Sequence, residues 1–166
     1  MTDGMNLKSL LKLLCPILII FCLECSNSTQ LPTPEKIGDK ELFRVISGKH
    51  AARVVNKMHG QTVAADVNVI VEYGMKKKDF LFISYYRDQN EANDAFNLMI
   101  EKMASSKKGP FLHLIPLTAY NNKVYFTLGM GTGHYIFLSG KYLLWFQTYQ
   151  SFGERLPPQL LKFYPA

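Results

Sequence analysis

The sequence predicts an α+β domain: an antiparallel sheet of about five to six strands with two helices packed on one face, in the order α-β-β-α-β-β-β-β. Three observations lead to this prediction. The chain of 166 residues is about one domain long. Its residues are 48% hydrophobic and 13% aromatic, which is enough apolar material to bury a core. Two segments place apolar residues at helical spacing. The other apolar segments are short and bounded by turn residues, which is typical of antiparallel strands.

The first 25 residues have the layout of an export signal. Lys8 and Lys12 form a positive region, and an apolar stretch then runs from Leu13 to Leu23. This stretch is shorter than the roughly 18 residues that span a bilayer. Pro16 also interrupts it, which argues against a transmembrane helix.

Cys25 follows the apolar stretch and resembles the acylated cysteine of bacterial lipoproteins. Glu24 occupies the position where such sequences have a small residue, so simple cleavage of the signal near residues 26–28 is the alternative. The sequence thus predicts an exported protein of the cell envelope, in the periplasm or on the outer surface, held at a membrane by lipidation of Cys25 or by the leader. All three cysteines lie in the leader, so the rest of the chain offers no disulfide, cysteine metal ligand or cysteine nucleophile.

Residues 26–41 contain two prolines and a glycine among polar residues and are predicted to form a flexible tether, which leaves 42–166 as one α+β domain. The next segment, SGKHAARVVNKMHG, predicts the first helix. Ser47 is its candidate cap and Gly60 its stop. Its apolar stripe consists of Ala51, Val54, Val55 and Met58.

Two strands and a second helix come next in the chain. DVNVIVEY alternates between two faces, and FLFISYY is apolar on both, so each is predicted to be a strand, joined by a turn at GMKKKD. The second helix is predicted from Asn90 to about Ser105, with Asp88 as its cap and Glu91 completing a capping-box-like pair. One side of this helix carries Ala92, Ala95, Phe96, Met99 and Met103, a stripe that indicates packing on a sheet.

From Phe111 onward the sequence predicts strands and turns. FLHLI is extended, and Pro116 prevents its continuation as a central strand. Asn121-Asn122 predicts a tight turn before KVYFTLG. HYIFLS and KYLLWFQTY complete the sheet, with a turn at Ser139-Gly140, and the tail GERLPPQLLKFYPA predicts one last helical turn.

The glycine-rich stretch GMGTGHY is the most distinctive motif. A dinucleotide fingerprint requires G-x-G-x-x-G between a strand and a helix. Starting at Gly129, the sixth position is His134, and the residues after it are aromatic and β-branched, which is typical of a strand rather than a helix. The glycines are therefore interpreted as the reversal between two strands. Gly129, Gly131, Gly133 and His134 are the candidate ligand-binding residues, because missing side chains leave backbone and solvent accessible there.

His113 and His134 support an alternative hypothesis, in which both histidines and an acid bind a metal or perform acid–base chemistry. The sequence contains neither H-x-x-x-H nor H-x-H, and no G-x-S-x-G nucleophile motif. We therefore predict no catalytic residue, no metal and no cofactor.

The net charge of +6 invites a search for nucleic-acid contacts. The basic residues are scattered, however, and the runs at 76–78 and 107–108 both stand beside turn glycines, where lysines are usually solvated. We therefore predict no nucleic-acid partner.

Several segments together resemble a group of uncharacterised exported bacterial proteins. These segments are GKHAARVVNKMHG, YRDQNEANDAFNLMIEKM, GPFLH and VYFTLGMGTGHYIFLSGKYLLWFQ, and they cover most of residues 48–149. The resemblance implies a compact envelope domain, often lipid-anchored, and it carries no activity or site residues.

The sequence favours a non-catalytic binding or structural module of the envelope, which contacts a protein or small ligand through the glycine-hairpin end of its sheet. The alternative is a small envelope hydrolase or metal-dependent enzyme that uses His113 and His134.

Overall fold

The computed structural model describes residues 30–59, 65–106, 109–118 and 123–165. The predicted leader, Cys25 and the predicted turn at Asn121-Asn122 lie outside these residues. No helix in the described ranges is long and apolar enough to cross a membrane. The elements in chain order are β1 (Lys36–Ile37), β2 (Lys40–Ser47), α1 (Gly48–His59), β3 (Val67–Tyr73), β4 (Asp79–Tyr85), α2 (Gln89–Ser105), β5 (Phe111–Pro116), β6 (Val124–Gly129), β7 (Thr132–Ser139), β8 (Tyr142–Thr148), a 3₁₀ turn (Gly153–Arg155) and α3 (Leu156–Leu161).

The eight strands form one curled antiparallel sheet, a half-barrel, in the order β1-β2-β3-β4-β8-β7-β6-β5. Most neighbours in this order are also neighbours along the chain. The exception is the central pair, in which β4 pairs with β8, for example Phe82 with Trp145. The last strand therefore lies in the middle of the sheet, and β5 forms an edge.

One face of the sheet, the inner face, carries a single continuous core, because side chains converge on the inside of a curled sheet. This core includes Val69, Leu81, Tyr135, Leu144 and Phe146. The helix α3 and the segment Leu31–Pro34 cover part of it. Tyr164 donates to the carbonyl of Pro32 at 2.6 Å, and Tyr73 donates to the carbonyl of Pro34 at 2.9 Å.

The opposite, outer face carries two separate clusters, one under each of the longer helices. Ala51 and Val55 of α1 pack on Ile70 of β3. Phe96 of α2 packs with Ile136 of β7 in the second cluster. The Asp88 carboxylate accepts a hydrogen bond from the Asn90 backbone N–H at 2.6 Å, which confirms the predicted cap of α2.

The predicted fold class is wrong. The sheet has eight strands rather than five to six, and there are three helices rather than two on one face, with α3 on the inner face. The additional strands β1 and β2 begin inside the segment predicted to be a flexible tether. They are joined by the two-residue turn Gly38-Asp39, in which Gly38 has φ +61°.

Partners distant in sequence explain why a polar segment forms these strands. The Lys40 ammonium lies 2.8 Å from Asp79 Oδ1, and the Arg44 guanidinium is paired with Glu72. Both carboxylates are buried, so the charged residues of β2 complete ion pairs with neighbouring strands. The buried Ile37 adds an apolar contact to the inner core.

Candidate ligand-binding groove

The hairpin between β6 and β7 contains the glycine-rich motif. Gly129 pairs with Thr132, which leaves Met130 and Gly131 as a two-residue turn. Both turn residues have positive φ, +52° and +77°, as the tight turn that suits the twist of an antiparallel hairpin requires. Gly131 adopts this conformation without the steric cost of a side chain.

The flanking glycines allow close approach of neighbouring groups rather than a special backbone angle. A Cβ at Gly129 would lie 2.5 Å from Phe111 Cδ1 and 2.7 Å from the carbonyl oxygen of Pro110. A Cβ at Gly133 would lie 3.2 Å from Phe126 Cε2. Gly133 stands between Leu128 and Thr148 in the sheet, so the inner face lacks a side chain at this point.

A groove of about 710 Å³ opens on the inner face at this end of the half-barrel. The hairpin Gly129–Gly133 forms one side, and residues 148–154, which follow β8, line another. The volume falls within the range of about 300–1,000 Å³ that is usual for small-molecule sites. Its apolar lining consists of Leu112, Leu117, Phe126, Leu128, Met130 and Tyr135.

Three apolar side chains of this lining are unusually exposed: Leu112 by 61%, Leu128 by 53% and Met130 by 70%. Ile115, which is also exposed, lies beside them on β5. Contiguous exposed apolar groups typically mark a site that another molecule covers. The polar part of the lining contains one charged side chain, Glu154, and no lysine, arginine or histidine among the described residues.

His134 lies on the other side of the sheet. Alternation along β7 places Gly133 on the inner face and His134 on the outer face, where the residue is only 2% exposed. The indole N–H of Trp145 donates to Nδ1 at 2.9 Å, which assigns the ring proton to Nε2. Nε2 lies 3.0 Å from the Gly129 carbonyl oxygen and 2.9 Å from Thr132 Oγ1.

These contacts make His134 a neutral ring that ties the hairpin to β8. Burial lowers its pKa, and the hydrogen bond to the Gly129 carbonyl opposes this only in part. The rings of Phe111 and Trp145 pack edge-on against it. Both ring nitrogens are therefore engaged by groups of the protein, and His134 presents no free nitrogen to a substrate or metal.

His113 lies in an irregular part of β5. It has φ +44°, and the register between β5 and β6 shifts at this point. Its exposed side chain lines a smaller cavity of about 240 Å³ together with Ser106 and Thr127. In the described ranges we find no group of three or more His, Cys, Asp or Glu residues that could hold a metal ion.

Of the four predicted ligand-binding residues, the structure brings the three glycines to the groove and places His134 behind it. The binding role of all four stays a prediction. Sequence reasoning missed the apolar lining from β5 and β6 and the segment after β8. The alternation that puts Phe126 and Leu128 on one face is readable in VYFTLG, but nothing local shows that this face stays uncovered.

Comparison with known proteins gives no match: no family model, no curated protein and no solved structure is similar to this chain. The resemblance to exported bacterial proteins therefore stays a prediction.

Proposed function

We propose that this protein is a non-catalytic binding module of the cell envelope that takes an uncharged, largely apolar ligand, such as a hydrocarbon chain, into the groove beside the Gly129–Gly133 hairpin. The observation that carries the proposal is the exposed apolar lining of that groove, in particular Leu112, Leu128 and Met130. The envelope location rests on the predicted leader and lipidation of Cys25, and it is part of the proposal.

The proposed ligand is apolar because covering the exposed side chains of the groove with apolar groups would be energetically favourable. Fully burying a leucine or methionine side chain is worth about 1.5–3 kcal/mol. Leu128 and Met130 are at least half exposed, so covering them would contribute about 1 kcal/mol each. A polar ligand would not gain this free energy of apolar burial.

The absence of charge on the ligand follows from the lining. An anion taken out of water needs a cation or several donors, and the lining residues in the described part of the chain supply no cation. Glu154 at the polar end would also repel a carboxylate or phosphate. The side chains of Gln150 and Ser151, which also line the groove, are of types that can exchange hydrogen bonds with a neutral polar end group.

We propose a non-catalytic role because of the residue types that line the groove. Within the described chain it contains serine and threonine hydroxyls but no histidine, lysine or cysteine that could serve as a base or activated nucleophile. Glu154 is the one carboxylate among these lining residues. A hydrolase mechanism that used His134 would first have to break the hydrogen bonds to Trp145 and Gly129.

The test is a fluorescence titration of the full chain with N-phenyl-1-naphthylamine, an uncharged probe whose emission rises in apolar sites. We expect saturable binding that Leu128→Gln weakens by about three- to ten-fold, corresponding to the loss of about 1 kcal/mol of apolar contact. The matched control is Leu98→Gln on α2, since Leu98 is 47% exposed and is not part of the groove lining. Equal effects of the two substitutions, or no saturable binding by the parent protein, would overturn the proposal.

A further inference from the structure

The exposed surface of α1 carries a charge pattern that the groove does not explain. The helix contains no acidic residue. Its basic side chains are all exposed: Lys49, His50, Arg53, Lys57 and His59. Of the other helices in the described chain, α2 mixes acidic with basic residues and α3 carries no charged residue.

Three of these cations form a single row. Lys49, Arg53 and Lys57 are spaced four residues apart, so they lie above one another along the helix, over about 12 Å. Like charges at this spacing destabilise a helix slightly. Lys49 also stands in the first turn, where the helix dipole disfavours a cation. Lys57 lies in the last turn, where the dipole favours a cation, so the mutual repulsion of the three charges is the unfavourable contribution that an external anionic surface would relieve.

No carboxylate among the described residues forms an ion pair with the row. In the described ranges, the ion pairs use the carboxylates of Asp66, Glu72 and Asp79, and their cationic partners lie outside α1. The opposite side of the helix is fixed to the sheet, because Ala51 and Val55 are buried against Ile70. The row is thus presented outward on a firmly packed element.

We propose that the row Lys49–Arg53–Lys57 docks the domain on an anionic phospholipid bilayer. The helix lies on the outer face of the sheet, and its basic side chains are exposed to solvent there. Met58 is half-exposed at the end of the row and can enter the interface beside the headgroups. Each basic residue near such a surface strengthens binding by about five-fold.

The row is independent of the groove and depends on a second membrane signal for strength. Three cations together give an enhancement on the order of 100-fold, which holds a protein at a membrane only in combination with an anchor. The predicted leader with Cys25 is that anchor. A site for single-stranded nucleic acid would be expected to offer aromatic stacking groups, and α1 carries no Phe, Tyr or Trp.

The test compares the binding of the full chain to vesicles of phosphatidylcholine alone and of phosphatidylcholine with phosphatidylglycerol, measured by co-sedimentation. The ratio of the two partition coefficients isolates the contribution of lipid charge, because the leader is present in both measurements. The test variant is Lys49→Gln/Arg53→Gln/Lys57→Gln. The control variant is Lys76→Gln/Lys123→Gln/Lys141→Gln, three exposed lysines outside the helices and strands, and each triple variant lowers the net charge of +6 by three.

We expect the α1 variant to lose at least about ten-fold in this ratio and the control variant less than about three-fold. Glutamine is a good helix former, so far-UV circular dichroism should show both variants folded. An equal loss in both variants, or no loss in the α1 variant, would overturn the proposal. Binding of a duplex DNA oligonucleotide that exceeds vesicle binding and disappears with the α1 variant would overturn it in favour of a nucleic-acid site.

Discussion

Replacing His134 with glutamine tests whether this histidine is a neutral structural element of the hairpin. In the folded protein, burial lowers the pKa of His134 below its ordinary value of 6.5. The unfolded chain therefore takes up a proton at higher pH than the folded chain. The stability that the neutral ring contributes is complete above pH 6.5 and is lost as the pH falls from there toward the folded pKa.

General linkage bounds the pH effect. Uptake of one proton changes the free energy of unfolding by at most about 1.4 kcal/mol per pH unit, so the parent protein can lose at most about that amount from this group between pH 6.5 and about pH 5.5. At about pH 7.5, His134→Gln should lower the free energy of unfolding by about 1–3 kcal/mol, because it disturbs buried hydrogen bonds to Trp145 and Gly129. The two proteins should therefore become more similar in stability as the pH falls. The hydrogen-bond and ring contacts of His134 within the described chain include no charged group that would mask this trend.

The assay is urea denaturation at pH values from about 7.5 to about 5.5, followed by the fluorescence of Trp145, the one tryptophan of the chain. The control is His50→Gln on α1, an exposed histidine far from the β6–β7 hairpin in sequence. The structural role of the neutral ring is refuted if His134→Gln retains the same decrease in stability over this pH window, since another group would then be responsible.

The packing and the leader give three further predictions. Gly129→Ala should lower the free energy of unfolding by about 1–3 kcal/mol, because the added methyl group would overpack against β5. Gly131→Ala should lower it by about 1–2 kcal/mol through backbone strain alone. Urea denaturation measures both losses, and an unchanged stability of Gly129→Ala would contradict the close contact between Gly129 and Phe111. Lys40→Met should lower the free energy of unfolding by roughly 3–5 kcal/mol, because it leaves the buried Asp79 carboxylate without its cation. Thermal and urea unfolding measure this loss. A loss below about 1 kcal/mol would show that the carboxylate is solvated. Mass spectrometry of the mature protein should find a lipid on Cys25; an unmodified cysteine in an uncut chain would contradict the predicted anchor.

The elements that the sequence predicts well are those specified by local chemistry. The second helix combines a cap at Asp88 with apolar residues at helical spacing, and α2 has this cap and buries Phe96. The strands β3 and β4 alternate or run apolar over seven residues each. In such segments the local preference and the tertiary environment agree.

The elements that the sequence misses depend on residues far away in the chain. Lys40 stands in the segment predicted to be a flexible tether, and its pairing with the buried Asp79, 39 residues further along the chain, has no local signal. The pairing of β4 with β8 has no local signal either, because the chain inserts four other elements between them. The strands β1 and β2, which were not predicted from the sequence, raise the number of strands to eight.

The candidate site was only partly accessible to sequence reasoning for a similar reason. The motif around Gly129–Gly133 marks the hairpin correctly, but the groove arises from the curl of the sheet and from the uncovered side chains of β5 and β6. The position of His134 behind the groove does have a local signal. Because Gly133 and His134 are adjacent in a strand, their alternation alone places them on opposite faces.

The most direct test of the groove as a ligand site is photo-crosslinking of the full chain with an uncharged alkyl diazirine, followed by peptide mass spectrometry. We predict that adducts concentrate on the groove-lining residues of β5, of the β6–β7 hairpin and of the segment at the end of β8, in particular Leu112, Leu128 and Met130. An excess of N-phenyl-1-naphthylamine should reduce these adducts. Adducts spread evenly over the protein, or concentrated on the outer face along α1 and α2, would contradict the assignment of this groove as the binding site.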